Sequence, residues 1–296
     1  MDDAIRKAEA LIEARSYIRM FRDRLTVIKL GGSAMEDPAA LGATLQDVIF
    51  METVGMRPIL VHGGGKPIDR AMARSGLEPR KIQGRRYTDE ATLDIVVNVL
   101  LHEVNDGIVR QIRELGGRAV GLHSGSLQSL FGERLQLPGG EGRPIDLGFV
   151  GRVTDVDTSL IESFTAGGVV PVIPSVAVDT AENRTSGWLN VNADTAAAAV
   201  AAHLRAEKLV FLTDTPGIMM DRSEPDSLLP SLDAVRCREL IERRVIDEGM
   251  IPKVEACLES LRAGVRKTHM IDGRLRHSLL LEIYTDRGVG TEITLN

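Results

Sequence analysis

Aromatic residues make up only 3% of the 296-residue chain (one Trp, three Tyr, six Phe), so recognition of single strands by base stacking has few platforms to use. A basic excess is also missing: 36 Lys and Arg against 42 Asp and Glu leave a net charge of −6, the wrong sign for a general polyanion binder. Cysteine is scarce. Cys237 and Cys257, with no CxxC, are too few for a disulfide framework and predict a reducing, cytoplasmic setting. Long apolar runs are lacking too: the longest, 196–202, is seven Ala and Val residues ended by His203, far short of the ~20 that span a bilayer. Asp2, Asp3, Glu9 and Glu13 crowd an N-terminus without a continuous apolar stretch, which argues against a secretory signal or a mitochondrial presequence. Neither nucleic acid nor membrane is expected as a partner.

Present instead is 43% hydrophobic residues, carried by Leu, Val, Ile and Ala and sufficient for a sizeable core. Short β-rich runs at 25–30, 57–62, 118–122, 169–173, 208–213 and 267–271 alternate with helical patterns at 38–54, 67–75, 89–115, 158–167, 194–205, 252–263 and 275–282. That order predicts an α/β fold, a mainly parallel sheet covered on both faces. The stretch 131–157, with Pro138, Gly139, Gly140, Gly142 and Pro144, breaks the alternation and reads as a β-hairpin excursion. The polar loop 179–187 divides an N-terminal from a C-terminal half. Residues 4–21 form an amphipathic helix with Ile5, Ala8, Leu11, Ile12, Ile18 and Phe21 near one face. It is an appendage, packed either on its own subunit or against another.

In open α/β sheets, ligands bind beyond the carboxyl ends of the strands. Strand 25–30 carries one charge, Lys29, and runs into Gly31 and Gly32; strand 57–62 runs into HGGGKP. Glycines let backbone approach an anion, and the N–H groups of a following helix are donors to it; Pro67 is expected at the first position of that helix. Each loop alone is equally a tight turn without a ligand. No GxxxxGK[ST], GxGxxG or GxSxG is present, so neither a known nucleotide loop nor an esterase elbow applies.

Burying Lys29 is costly without an anion. Lys253, following Pro252 in a helix's first turn, opposes the helix dipole unless a phosphate sits there; a surface lysine is the other reading. Asn190, Asn192 and Asp194 alternate in WLNVNAD and would share one face of a strand, with one of them an N-cap. Asp194 is placed to hold two ammonium groups. Arg86, in GRRYTDE at an expected helix start, is a carboxylate clamp or a solvated arginine. The six histidines show neither metal-ligand spacing nor HExxH, and no nucleophile–base pair is readable. Many anion donors without proton-transfer machinery fit phosphoryl transfer.

Taken together, VIKLGG (27–32), LVHGGGKPID (60–69), GRRYT (84–88), GFVGRV (148–153), LNVNAD (189–194), FLTDTPGIM (211–219) and GMIPKV (249–254) resemble the amino acid kinase family, in its branch that phosphorylates N-acetyl-L-glutamate. The resemblance spans about 25–296. It implies a three-layer αβα sandwich with an N-terminal helical extension at 1–24, an acetylglutamate lobe at about 25–185 and a nucleotide lobe at about 186–296. It implies ATP-dependent phosphorylation of the γ-carboxylate, in arginine biosynthesis, with Mg²⁺ arriving on ATP and no protein metal site. An ionised carboxylate needs no general base.

Residue by residue, Lys29 and Lys253 match transition-state-stabilising lysines and Asp194 the carboxylate organising them. Gly64, Gly65, Arg86, Asn190 and Asn192 match substrate-binding positions. Gly32, Thr213, Asp214, Gly217 and Ile218 match nucleotide contacts. ARSYIRMFRDR, HMIDGR, SLLLEIYT and RGVGTEI resemble the arginine-inhibited, hexameric members, with Tyr17, His269, Glu282 and Gly288 at the inhibitor positions. One departure is GLHSGSLQSL at 121–130, where members often carry Gly-Lys-Asp. Other readings are a same-fold kinase of N-acetylaminoadipate or carbamate, and a non-catalytic amino-acid sensor; the sensor would be expected to lose Lys29, Lys253 or Asp194.

Overall fold

Near-continuous apolar sequence makes Leu25–Leu30 a strand buried on both faces, and the rest of the fold is arranged about it. The structure, a computed structural model, describes residues 1–138, 144–181, 187–247, 249–285 and 287–295. In chain order the strands are β1 (Leu25–Leu30), β2 (Arg57–His62), β3 (Lys81–Ile82), β4 (Arg85–Arg86), β5 (Ala119–Gly121), β6 (Leu130–Arg134), β7 (Val150–Val156), β8 (Val170–Pro174), β9 (Val176–Asp179), β10 (Trp188–Val191), β11 (Lys208–Thr213), β12 (Ser231–Asp233), β13 (Lys267–Asp272) and β14 (Thr291–Thr294). The helices are α1 (Asp2–Phe21), α2 (Pro38–Thr53), α3 (Gly65–Arg74), α4 (Glu90–Asn98), α5 (Asp106–Glu114), α6 (Thr158–Ala166), α7 (Ala193–His203), α8 (Ala234–Glu242), α9 (Ile251–Arg262) and α10 (Ser278–Ile283).

Eight strands form one sheet in the order β12-β14-β13-β11-β1-β2-β8-β5. Every pairing in it is parallel except β13 with β14. Strands from the N-terminal half lie on one side and those from the C-terminal half on the other, meeting where β1 pairs with β11. Val27, Ile59, Val61 and Phe211 pack on α6, α7, α8 and α9. Ile28, Leu30, Leu60 and Leu212 face α2, α5 and α10. The expected αβα sandwich is therefore what the chain forms.

The six sequence-expected strands are found, each within one residue of the limits given above. Short polar strands were not legible. β6 and β7 pair antiparallel, as the hairpin reading required, and they close a small barrel with β9 and β10. The tip of that excursion, including Gly139, Gly140 and Gly142, and most of the loop 179–187 lie outside the described residues.

Three local expectations need correction. Helix α3 starts at Gly65, so Pro67 occupies its third position rather than its first; its missing N–H is an orphan there as well. The pattern 89–115 is helical throughout, but 99–105 is wound as a π-helix between α4 and α5. Of the two readings of helix α1, packing on its own subunit holds only at one end. Ile5, Leu11, Ile12 and Met20 are between 49% and 70% exposed, and only the C-terminal end, with Tyr17, Ile18 and Phe21, joins the core.

Candidate active site

Period-two alternation places Lys29 on the same face of β1 as Val27, towards α7. Helix α7 begins directly after β10. Asn192 caps it, its carboxamide oxygen accepting from the amides of Asp194 (2.9 Å) and Thr195 (3.1 Å). The three polar residues of WLNVNAD thus do not share one strand face: Asn190 is on β10, Asn192 is the cap and Asp194 sits in the first helical turn. Lys253 lies in the first turn of α9.

These elements meet at Asp194. Its two oxygens stand 2.8 Å from Lys29 Nζ and 3.2 Å from Lys253 Nζ. Burial alone would raise the carboxyl's pKa, but the two ammonium groups override it and hold the group below the usual carboxylate range. Two cations on one carboxylate leave a net positive charge. Lys29 of this group lines a cleft of about 220 Å³, together with Gly32, Gly64, Gly65, Arg86, Asn190 and Asn192.

The glycines make this approach possible. A Cβ at residue 64 would meet Leu100 at 2.7 Å, and Gly32 has φ +54°. Gly31, expected only as backbone open to an anion, is tighter still: its Cβ would meet Lys29 Nζ at 2.1 Å.

Arg86 is not at a helix start. It stands on β4 of a two-strand hairpin, while α4 begins at Glu90, capped by Asp89. Its guanidinium is mostly buried and donates to Asp69 Oδ1 at 2.5 Å and to Met72 Sδ at 3.1 Å. Asp69, on α3, is a partner sequence reasoning missed; the only signal was its place four residues after Gly65. Asn190 donates to Thr88 Oγ1 at 3.0 Å.

Thr213 ends β11, and Asp214, Gly217 and Ile218 follow it, beside β1 at the carboxyl ends of the strands, but none of the four lines this cleft. The Thr213 hydroxyl donates to Thr215 O (2.8 Å), and Ile218 N donates to Thr291 Oγ1 (2.8 Å). Gly217 has φ +151°, and a Cβ there would meet Thr291 Oγ1 at 2.6 Å. None of the residues of the departure at 121–130 lines the cleft; Gly121 makes room for Asn105, whose Oδ1 a Cβ would meet at 2.3 Å.

His269 and Glu282 form a second buried cluster, with Gly288 beside it. Burial would raise the Glu282 carboxyl, but the hydrogen bond and charge of His269 and the amides of Val289 and Gly290 outweigh it and hold the group below its ordinary value. Its Oε1 is 2.7 Å from His269 Nδ1, and its Oε2 accepts from the amides of Val289 (2.7 Å) and Gly290 (2.9 Å). Lys208 Nζ is 3.2 Å from His269 Nε2 and 4.7 Å from the centre of the Phe21 ring. Gly288, at φ +61°, packs so that a Cβ would meet Glu282 Oε2 at 2.6 Å. Tyr17 is packed near the same end of α1.

The profile of the amino acid kinase family matches residues 24–272. The acetylglutamate kinase of Methanothermobacter thermautotrophicus is 44% identical over 291 residues, covering 96% of this chain and 98% of the relative. That of Pelotomaculum thermopropionicum is 46% identical over 292 residues, covering 97% of each. Among solved structures, N-acetylglutamate synthase from Neisseria gonorrhoeae, complexed with coenzyme A and N-acetyl-glutamate, superposes with a TM-score of 0.82 at 25% identity. The match covers 97% of this chain but 63% of that longer one.

Proposed function

The chain belongs to the amino acid kinase family, and from that premise we propose that it transfers the γ-phosphoryl group of ATP to the γ-carboxylate of N-acetyl-L-glutamate. The observation that carries this reading is the pair Lys29 and Lys253 on Asp194, with Lys29 lining one cleft beside two glycine-rich strand ends. Relatives named acetylglutamate kinase at 44–46% identity supply the acceptor, and a structural relative was solved with N-acetyl-glutamate bound.

In this mechanism a carboxylate oxygen forms a bond to the γ-phosphorus while the bond from phosphorus to the ADP oxygen breaks. No proton moves, so no general base is required. Lys29 and Lys253 neutralise charge on the transferring group and the leaving oxygen. Asp194 keeps the two ammonium groups apart and aimed. Backbone N–H groups of Gly64 and Gly65, at the start of α3, add donors; Arg86, Asn190 and Asn192 orient the acceptor, with Arg86 steadied by Asp69. The turn 213–218 takes the nucleotide.

Among the described residues no three His, Cys, Asp or Glu side chains converge as a metal cage. Mg²⁺ would arrive with ATP, on its phosphate oxygens. The proposal extends to the lobes at 25–185 and 186–296, to arginine biosynthesis in the cytoplasm, and to inhibition of a homo-hexamer by L-arginine. Support for the last is the uncovered apolar length of α1 and the buried cluster to which its Phe21 end is joined. Glu282 is satisfied internally there, so arginine must exchange with one of its present partners.

The test is ADP release from ATP with N-acetyl-L-glutamate and, separately, with N-acetylaminoadipate and carbamate. Turnover that requires acetylglutamate supports the reading; preference for another acid, or none, overturns it.

A further inference from the structure

One buried polar group beside the cleft has no part in the chemistry above. His62, the last residue of β2, is fully buried directly before the glycines. Its Nδ1 lies 3.0 Å from Gly63 O, and its Nε2 lies 2.9 Å from Nδ2 of Asn105. The same Asn105 nitrogen donates to Val172 O on β8 at 3.0 Å.

This chain of contacts fixes every proton. A backbone carbonyl only accepts, so Val172 O holds the Asn105 carboxamide with its NH₂ inward. The second hydrogen of that NH₂ points at His62 Nε2, which must accept. The imidazole proton is then on Nδ1, where Gly63 O requires a donor. Burial also pushes the imidazole down to about 4, opposed by the Gly63 bond, so the ring is neutral at physiological pH. The groups around it are His123 and, further out, Asp106 and His102, which lie within 3.8 Å of one another through Asp106.

A trans peptide is planar, with C=O and the next N–H pointing in opposite directions. If His62 holds Gly63 C=O towards the buried side, Gly64 N–H is directed into the cleft that Gly64 lines. The π-helical turn 99–105 serves the same loop twice. Leu100 packs where a Gly64 Cβ would be, and Asn105, its last residue, reaches His62.

We propose that His62 and Asn105 are positioning residues that lock the Gly63–Gly64 peptide so that Gly64 N–H meets the transferring phosphoryl group. The inference rests on the phosphoryl-transfer reading above, and deepens it by two residues that touch neither substrate.

The test uses the full chain. His62→Phe keeps a ring and removes both nitrogens; His62→Asn keeps a donor near the Nδ1 position. With ATP and N-acetyl-L-glutamate, kcat is expected to fall about 10- to 100-fold in His62→Phe, less than the ~10²–10³ for deleting an oxyanion-type donor outright. KM for acetylglutamate should change less than about twofold, and His62→Asn should recover most of kcat, a split that a general loss of packing would not produce. Wild-type kcat in His62→Phe, or equal losses in both variants, overturns the proposal. A readout independent of folding is the ¹⁵N spectrum of wild-type His62: a proton on Nδ1 supports it, and one on Nε2 overturns it. If wild-type protein fails to turn over acetylglutamate, that functional reading falls by itself. The pair is then read from affinity for ADP with aluminium fluoride: weaker binding in His62→Phe than in His62→Asn supports it, and equal binding overturns it.

Discussion

Gly31 owes its identity to Lys29: a Cβ on residue 31 would lie 2.1 Å from Lys29 Nζ and 2.8 Å from its Cε, in the space the ammonium crosses to reach Asp194. A glycine that looks like turn material is part of the charge arrangement.

Gly31→Ala should therefore damage turnover more than folding. The clash is with the flexible end of a side chain, so Lys29 moves and the backbone need not. A displacement of about 1 Å in a group that stabilises the transition state costs roughly 100-fold in kcat. Steady-state kinetics with a thermal melt checks this. Near-wild-type kcat would mean that Lys29 acts from somewhere else.

Removing the charges directly should be worse. Lys29→Ala or Lys253→Ala is expected to lower kcat by about 10²–10³, or ~3–4 kcal/mol of transition-state stabilisation, with a smaller change in KM for acetylglutamate. Asp194 then loses one of two ion pairs while buried, so both variants should also melt earlier. Either variant turning over normally refutes the assignment.

Arg86→Lys isolates the acceptor end. Arg86 donates to Asp69, Met72 and, at 3.4 Å, Gly65 O, a fan that a lysine's point charge does not reproduce. KM for acetylglutamate should rise about tenfold with kcat less affected, a cost of about 1.4 kcal/mol. Unchanged KM in a saturation series would move the acceptor site elsewhere.

Much of this was readable in the chain because its signals are local. β1, β2 and β11 are short apolar runs between glycines or caps, and their limits follow from residue type alone. Lys29 stood out as the one charge in such a run. Residues whose meaning depends on a distant neighbour were not readable. Gly31 matters only because Lys29 bends past it. Asp69 matters only once the β3–β4 hairpin brings Arg86 onto α3. Arg86 was assigned to a helix start because GRRYTDE has acidic N-cap chemistry three residues on, and that cap, Asp89, is real. The strands of the small barrel, four to seven residues long and half polar, gain their pairing from one another and not from propensity.

Burial of neutral His62 has a signature in stability. Its folded pKa lies at about 4, below the 6.5 of an unfolded imidazole, so the unfolded chain binds the extra proton first. Its contribution is complete above about pH 6.5 and is lost progressively as pH falls towards 4. Between pH 7.5 and 5 this one group should remove about 2 kcal/mol. Urea midpoints of wild type and His62→Asn at those two pH values test it. The variant should show the smaller loss, and parallel losses would mean that the ring is already charged or exposed at pH 5.

Regulation is the prediction that depends most on the second cluster. L-arginine is expected to inhibit, and a chain of contacts runs from α1 to the Glu282 cluster. Phe21 lies over Lys208, Lys208 contacts His269, and His269 contacts Glu282, whose other oxygen ties down the amides of Val289 and Gly290. A ligand guanidinium competing for Glu282 would disturb this chain, and inhibition follows if arginine binds more tightly to the arrangement that misaligns the cleft. Residues 1–16 are almost wholly exposed, so removing them spares the packed end of α1 while deleting the apolar stripe that a second subunit would cover. Light scattering should then report a smaller particle, with kcat retained and arginine inhibition weakened. Phe21→Ala tests coupling without changing length: it should raise the arginine concentration for half-inhibition several-fold, and leave turnover in the absence of arginine within about twofold, as expected for a coupling energy of roughly 1 kcal/mol. If millimolar arginine leaves full-length turnover unchanged, the cluster is structural and the regulatory reading is wrong, whatever becomes of the kinase assignment.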